Sequence, residues 1–284
     1  MTPLRQRMIH ELTVRGLAEN TQKAYLHAVI GLARYYHRSP DQLSAQDVQT
    51  YLVWLHQERG LTWKSCNTVR HGLRFFYRIT LGWSEPNFYL PGAKEPSRLP
   101  EVLSQEELVR LFTVTTNLKQ RALLMTTYAA GLRASEVTRL KVSDIDSGRM
   151  CIRVEQGKGA KDRYVPLSPR LLGQLREHWR VCRTPLWLFP GHPSDRPLTR
   201  HGAAHIYESA KAKAGITKAG GIHTLRHCYA THLLETGTEL PLLQRLMGHT
   251  SIRSTMRYLH IAQAGVTATT SPLDLLEFPT PPRR

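Results

Sequence analysis

Between Gly82 and Leu103 the chain carries four prolines (Pro86, Pro91, Pro96 and Pro100), two glycines and no sustained apolar periodicity. Proline fixes φ and removes a backbone donor, so neither a continuous helix nor a central strand runs through such a stretch. The expectation is a linker over residues 82–103, semi-rigid from its prolines, with the domain boundary near residue 98. It divides an N-terminal domain, residues 1–81, from a C-terminal domain, residues 104–284. A chain of 284 residues is long enough for two such domains.

The first 80 residues read as helices throughout. Tyr25, Val29, Leu32 and Tyr36 recur at helical spacing after Asn20, and Val48, Tyr51, Leu52 and Leu55 after Ser44, with Asp47 in place for a capping box. A fourth helix is predicted from about Trp63 to Thr80, burying Val69, Leu73 and Phe76. Its opposite face presents Lys64, Asn67, His71, Arg74 and Arg78, a basic stripe able to lie along a major groove. After the linker, Ser104 and Glu107 form a second capping box. Helices are predicted at about 104–113, 118–130, 134–140, 169–182, 199–214, 225–236 and 240–247. Met150–Val154 and Arg163–Leu167 read as two strands joined by a turn on Gly157, Lys158 and Gly159, with Leu186–Phe189 as a third strand. The fold class expected is mainly α with a small antiparallel β-sheet in the C-terminal domain.

Lys and Arg outnumber Asp and Glu by 39 to 22, a formal charge of +17. Residues 1–95 carry a net +5 and residues 96–284 a net +12, so the charge is not stored in a tail. A field of this size attracts polyanions, and nucleic acid is the abundant one. No apolar run approaches the roughly 18 residues of a membrane span, and the N-terminus MTPLRQRMIHEL lacks the apolar core of a secretory signal. Cys66, Cys151, Cys182 and Cys228 stand far apart with no CxxC pairing, which fits reduced thiols in a cytoplasm.

Four places in the second domain combine cationic or imidazole groups with turn chemistry: Arg133 in GLRASE, Lys158 in GKGAKDR, His223 and Arg226 in HTLRH, and His249 in LMGHT, with Tyr258 nine residues later. Arginines grip phosphate oxygens in pairs, so these groups brought together would hold a phosphate. Carboxylates are not grouped for two-metal catalysis, and no GxxxxGK[ST] loop is present, so neither a metal nor a nucleotide cofactor is expected. His223, His227, His232 and Cys228 lack zinc-site spacing, and His227 and His232 are expected to be packed helix residues. Charge in a phosphoryl-transfer transition state must then be met by the cationic side chains, and Tyr258 is a candidate nucleophile. Glu136 is expected to buttress Arg133.

GLRASE, GKGAKDR, HTLRH followed by THLL, LMGH and the closing tyrosine resemble the tyrosine recombinases, a family that includes phage integrases and chromosome-dimer resolvases. The spacings are 25 from Arg133 to Lys158, 65 on to His223, 23 from Arg226 to His249 and 9 to Tyr258. The resemblance covers essentially the whole chain. It implies a two-domain DNA clamp and a site-specific recombinase that needs no metal or ATP. Tyr258 would form a 3′-phosphotyrosine bond and release a 5′ hydroxyl. Arg133 and Arg226 would hold the non-bridging oxygens, and His249 would donate to the phosphate. Lys158, with Lys161 as its competitor, would protonate the leaving oxygen, and His223 would assist at the nucleophile. The resemblance also implies double-stranded DNA as partner, with Lys64, Asn67, His71, Arg74, Lys161 and Arg200 as contacts. A homo-oligomer follows, a dimer per site and a tetramer at synapsis, joined through the apolar segment SPLDLLEF at Ser271–Phe278, with the folding of that segment back in cis left open as the alternative. A second recombinase or an accessory protein is left open. Competing readings are a type IB topoisomerase and a DNA-binding protein that has lost strand transfer.

Overall fold

The structure, a computed structural model, describes residues 2–86, 88–89, 101–155 and 162–259. Lys158, Lys161 and the segment Ser271–Phe278 lie outside the described residues, as does most of the proline-rich stretch. The chain divides into two compact units, Met1–Ser97 and Arg98–Arg284.

The first unit holds four helices, α1 (Pro3–Val14), α2 (Glu19–Tyr36), α3 (Ala45–Gln57) and α4 (Trp63–Phe75). Ser44 and Asp47 cap α3 reciprocally, as their spacing requires. Met8, Leu12, Leu32, Leu52, Leu73, Phe76 and Tyr77 meet in one core. The helix expected to reach Thr80 is α-helical only to Phe75, and Phe76–Thr80 close it as a π-helical turn. That wider turn lets Phe76 and Tyr77 both face the core, where Tyr77 Oη donates to the Pro40 carbonyl at 2.7 Å. The stretch just beyond Gly82, expected as linker, packs in part on this unit. Phe88 is buried against Tyr77, and the Gln49 side chain bonds both backbone groups of Tyr89.

The second unit begins with α5 (Gln105–Val114), α6 (Leu118–Ala129) and the single turn α7 (Ala134–Val137). The strands are β1 (Ile145–Asp146), β2 (Cys151–Val154) and β3 (Arg163–Pro166), an antiparallel sheet in the order β1-β2-β3. Then come α8 (Pro169–Val181), α9 (Arg200–Lys213), α10 (His223–Glu235), α11 (Leu240–Met247) and α12 (Arg253–Met256). The fold is thus mainly α with a small antiparallel sheet in its second unit. Two expectations are corrected. The third strand is β1 and not Leu186–Phe189, which forms only a bridge from Trp187 to Lys141. The helix expected over 134–140 stops at Val137, because residues 140–142 turn to pair with 186–188.

Ile152, Val154 and Val165 face inward and pack with Leu123, Leu124, Leu132, Leu171, Phe189, Tyr207 and Leu225. Helix α10 runs through this core with Thr224, Leu225, Arg226, Cys228, Tyr229 and Ala230 all buried. Two left-handed glycines aim the flanking segments. Gly131 (φ +58°) ends α6 and hands the chain to Arg133, and Gly248 (φ +59°) ends α11 and hands it to His249. A Cβ on Gly131 would lie 2.3 Å from the Tyr229 ring, so strain and overlap act together. Gly131→Ala is expected to lower stability by about 1–3 kcal/mol in urea unfolding.

Candidate active site

Arg133, His223, Arg226, His227, His249, Thr250, Ser254, Arg257 and Tyr258 line one cleft of about 180 Å³ in the second unit. Five of the six residues singled out for catalysis in the sequence therefore converge, and the sixth, Lys158, lies outside the described residues. Three local devices bring them together. The Gly131 turn supplies Arg133, one face of α10 supplies His223, Arg226 and His227, and the Gly248 turn with α12 supplies His249 and Tyr258.

Glu136 organises the arginines. Its carboxylate accepts from the Arg133 backbone N–H (2.8 Å) and from Arg133 Nη1 (2.7 Å). Arg163, paired with Val154 at the start of β3, donates both terminal nitrogens to it, at 3.0 and 2.8 Å. Arg226 Nη1 lies 3.7 Å away. Burial pushes the Glu136 carboxyl up, but the hydrogen bonds and charge of Arg163 and then of Arg133 outweigh this and hold it at about 2. The arginines are themselves tied to backbone carbonyls. Arg163 Nε donates to Leu246 (2.9 Å), Arg133 Nη2 to Gly248 (3.3 Å), and Arg226 to Gly131 and Met247. Arg226 is only 1% exposed, and burial followed by the charge of Arg133 lowers it to about 10.

Two of the histidines, His227 and His249, are neutral at physiological pH. Burial, then the charges of Arg226 and Arg133, brings His249 down to about 4. Burial, with His223, Arg257 and Arg226, does the same for His227. Tyr258 is 2% exposed, and its hydroxyl pairs with His227 Nδ1 at 3.0 Å. Burial raises its phenol, against the lowering pull of Arg226, Arg257 and Arg133, so it is protonated. His227 was expected to be only a packed helix residue and is corrected: it holds the phenol, with its ring edge-on to His223 at 4.8 Å. Its place one turn after His223 on the same face was the available signal. His232 does pack, bonding Tyr128 Oη at 3.0 Å. Arg163 closes the GKGAKDR motif, but its pairing with Glu136 carried no sequence signal, and neither did Thr255. Among the described residues no group of three His, Cys, Asp or Glu is placed to hold a metal.

Lys64, Asn67, His71 and Arg74 are all exposed along one side of α4, and Arg200 is exposed at the start of α9. No helix among the described residues is long and apolar enough to cross a membrane.

A buried carboxylate thus gathers three arginines beside a recessed tyrosine. Residues 101–264 match the Phage integrase family, and residues 4–85 match a phage integrase N-terminal SAM-like domain. A Sinorhizobium fredii protein named as an integrase/recombinase is 45% identical over 283 residues, 99% of this chain and 92% of that one. The tyrosine recombinase XerD of Oceanobacillus iheyensis is 32% identical over 270 residues, 88% of this chain and 90% of that one. A lambda integrase dimer bound to a COC′ core site shares the fold, with a TM-score of 0.71 at 18% identity over 88% of this chain and 95% of that one. The chain belongs to the phage integrase family and is a tyrosine-type site-specific DNA recombinase.

Two outcomes follow from the electrostatics. His227 and His249 titrate near 4 when folded and near 6.5 when unfolded, so between those values the unfolded chain binds more protons. Stability is therefore full above about pH 6.5 and falls as pH drops toward about 4, which melting temperature against pH will read. Glu136 adds stability that is lost only lower, as pH falls from its unfolded value toward about 2. Glu136→Gln strands Arg163 and Arg226 as uncompensated charges and should cost about 3–5 kcal/mol in denaturant unfolding.

Proposed function

We propose that this recombinase cuts and rejoins double-stranded DNA through Tyr258, with Arg133, Lys158, His223, Arg226 and His249 as its catalytic partners. The observation that carries the reading is the convergence of Arg133, His223, Arg226, His249 and Tyr258 on one cleft of about 180 Å³, a volume suited to a single phosphate. Tyr258 Oη attacks the scissile phosphorus, the bond from phosphorus to the 5′ oxygen breaks, and a 3′-phosphotyrosine diester forms. Arg133 and Arg226 offset the charge on the non-bridging oxygens, and His249 donates a further hydrogen bond. Lys158 gives the leaving 5′ oxygen its proton. His223 helps to move the phenol proton, and in the free enzyme the Tyr258 hydroxyl is paired with His227 Nδ1. The diester conserves the bond energy, so rejoining to another 5′ hydroxyl needs neither metal nor ATP.

The two units correspond in this reading to an N-terminal DNA-binding domain (1–81) and a catalytic domain (104–284), joined by residues 82–103, and both contact the duplex. Lys64, Asn67, His71 and Arg74 meet it from α4, with Lys161 and Arg200 from the catalytic domain. The enzyme acts in the cytoplasm as a dimer on each site and a tetramer at synapsis, exchanging Ser271–Phe278 between copies. A second recombinase or an accessory protein is compatible with this assembly. The lambda integrase dimer on its core site supports the DNA and multimer parts of the reading.

A nicked suicide duplex drawn from DNA flanking the gene tests the chemistry. Wild-type protein is expected to give a covalent adduct and Tyr258→Phe none while still shifting the duplex in a gel; an adduct with Tyr258→Phe would remove Tyr258 as nucleophile. Lys64→Ala should weaken binding to all duplexes alike and reduce the slope of log K against log salt by about 1. An unchanged slope would take α4 away from the phosphate backbone.

A further inference from the structure

The hydrogen bonds around His249 fix its tautomer as well as its position. An arginine has only donors, so the 3.2 Å contact from Arg226 Nη2 requires a lone pair on His249 Nε2. A neutral imidazole with that lone pair carries its proton on Nδ1, which lies 2.9 Å from Thr255 Oγ1. In the free protein, then, His249 donates to Thr255. The backbone of His249 is held separately: its N–H donates to the Gln244 carbonyl, and Gln244 Nε2 donates to the His249 carbonyl, each at 3.1 Å. Thr255 is fully buried, three residues before Tyr258.

This polarity is wrong for an anion. A phosphate oxygen drawn to Arg226 competes for the same N–H and leaves Nε2 facing it lone pair to lone pair. The ring can respond by gaining a proton, which burial and four surrounding arginines oppose. Otherwise it can lose the proton on Nδ1 and take one on Nε2, with no net change. The second course needs a partner for Nδ1 that turns from acceptor to donor. A carboxylate or carbonyl oxygen only accepts, whereas a hydroxyl does either after rotating about its C–O bond.

We propose that Thr255 is a positioning residue whose hydroxyl switches His249 from accepting a hydrogen bond from Arg226 to donating one to a bound phosphate. The proposal rests on the reading of the cleft as a phosphate site, and it assigns Thr255 no contact with the phosphate itself.

The test uses the full chain labelled with ¹⁵N-histidine, as wild type, Thr255→Val and Thr255→Ser, titrated with inorganic phosphate near neutral pH. The ¹⁵N shifts of His249 report which nitrogen carries hydrogen. In wild type His249 is expected as the neutral Nδ1–H form when free and the neutral Nε2–H form with phosphate. Thr255→Val, of the same shape but without the hydroxyl, is expected to bind phosphate about tenfold more weakly, and Thr255→Ser like wild type. An imidazolium in the phosphate complex, a His249 that stays Nδ1–H, or unchanged phosphate affinity in Thr255→Val overturns the proposal. If phosphate shifts none of the His223, His227 and His249 signals, the phosphate reading of the cleft falls with it. Shifts without a change of tautomer sink the Thr255 proposal alone. The wild-type spectra decide the tautomers even if Thr255→Val fails to fold.

Discussion

The ion cluster around Glu136 is the interaction on which the second unit depends. A single carboxylate, nearly closed off from water, meets Arg133 from the start of α7 and Arg163 from the start of β3, and lies within 4 Å of Arg226 on α10. Three separate pieces of chain thus share one counter-charge. Gathering guanidinium groups in a buried space is unfavourable through desolvation and mutual repulsion, and one anion only partly offsets it. The carbonyls of Gly131, Leu246, Met247 and Gly248 supply the rest by accepting the arginines' remaining hydrogens. Two of these carbonyls belong to the left-handed glycines, so the turn geometry and the electrostatics require each other.

Burial, reinforced by the positive excess left over, sets the state of the cleft's histidines. It holds His227 and His249 near 4, neutral at physiological pH, although each has an acceptor or donor close by. The positive excess also pulls the Tyr258 phenol toward ionisation, a pull that burial outweighs. In the proposed reading an incoming phosphate diester would supply the missing negative charge, and the free site would be preorganised for an anion in its positions and not yet in its hydrogens.

The sequence made the local part of this legible. Arg133, His223, Arg226, His249 and Tyr258 each sit at a glycine turn or on a short helix, where spacing of a few residues encodes geometry, and all five reach the cleft. The Glu136–Arg163 pair could not be read that way, because 27 residues and a sheet separate its members. His227 shared its helical face with His223, but an imidazole between buried positions reads as packing unless its partner, 31 residues on, is known. Strand β1 has two residues, too few for any period, while the apolar run at 186–189 resembled a strand and instead covers the core beside Lys141. The closing turn of α4 was missed because π and α turns share the same apolar spacing over five residues.

In the proposed reading Tyr258 is at once the nucleophile and part of the packing, seated with Tyr229, Ala230, Leu243 and Met247. A nucleophile stored in the interior costs free energy to draw out, and that cost is taken from the energy of binding. The tightest complex is then not the most reactive one, since affinity that leaves the interior closed does no chemistry. If Tyr258 is the nucleophile, fidelity can arise in this way without any base being read at the cleft: only a duplex that holds on well enough to loosen the core around Tyr258 would be broken, and a chance encounter would leave both partners intact.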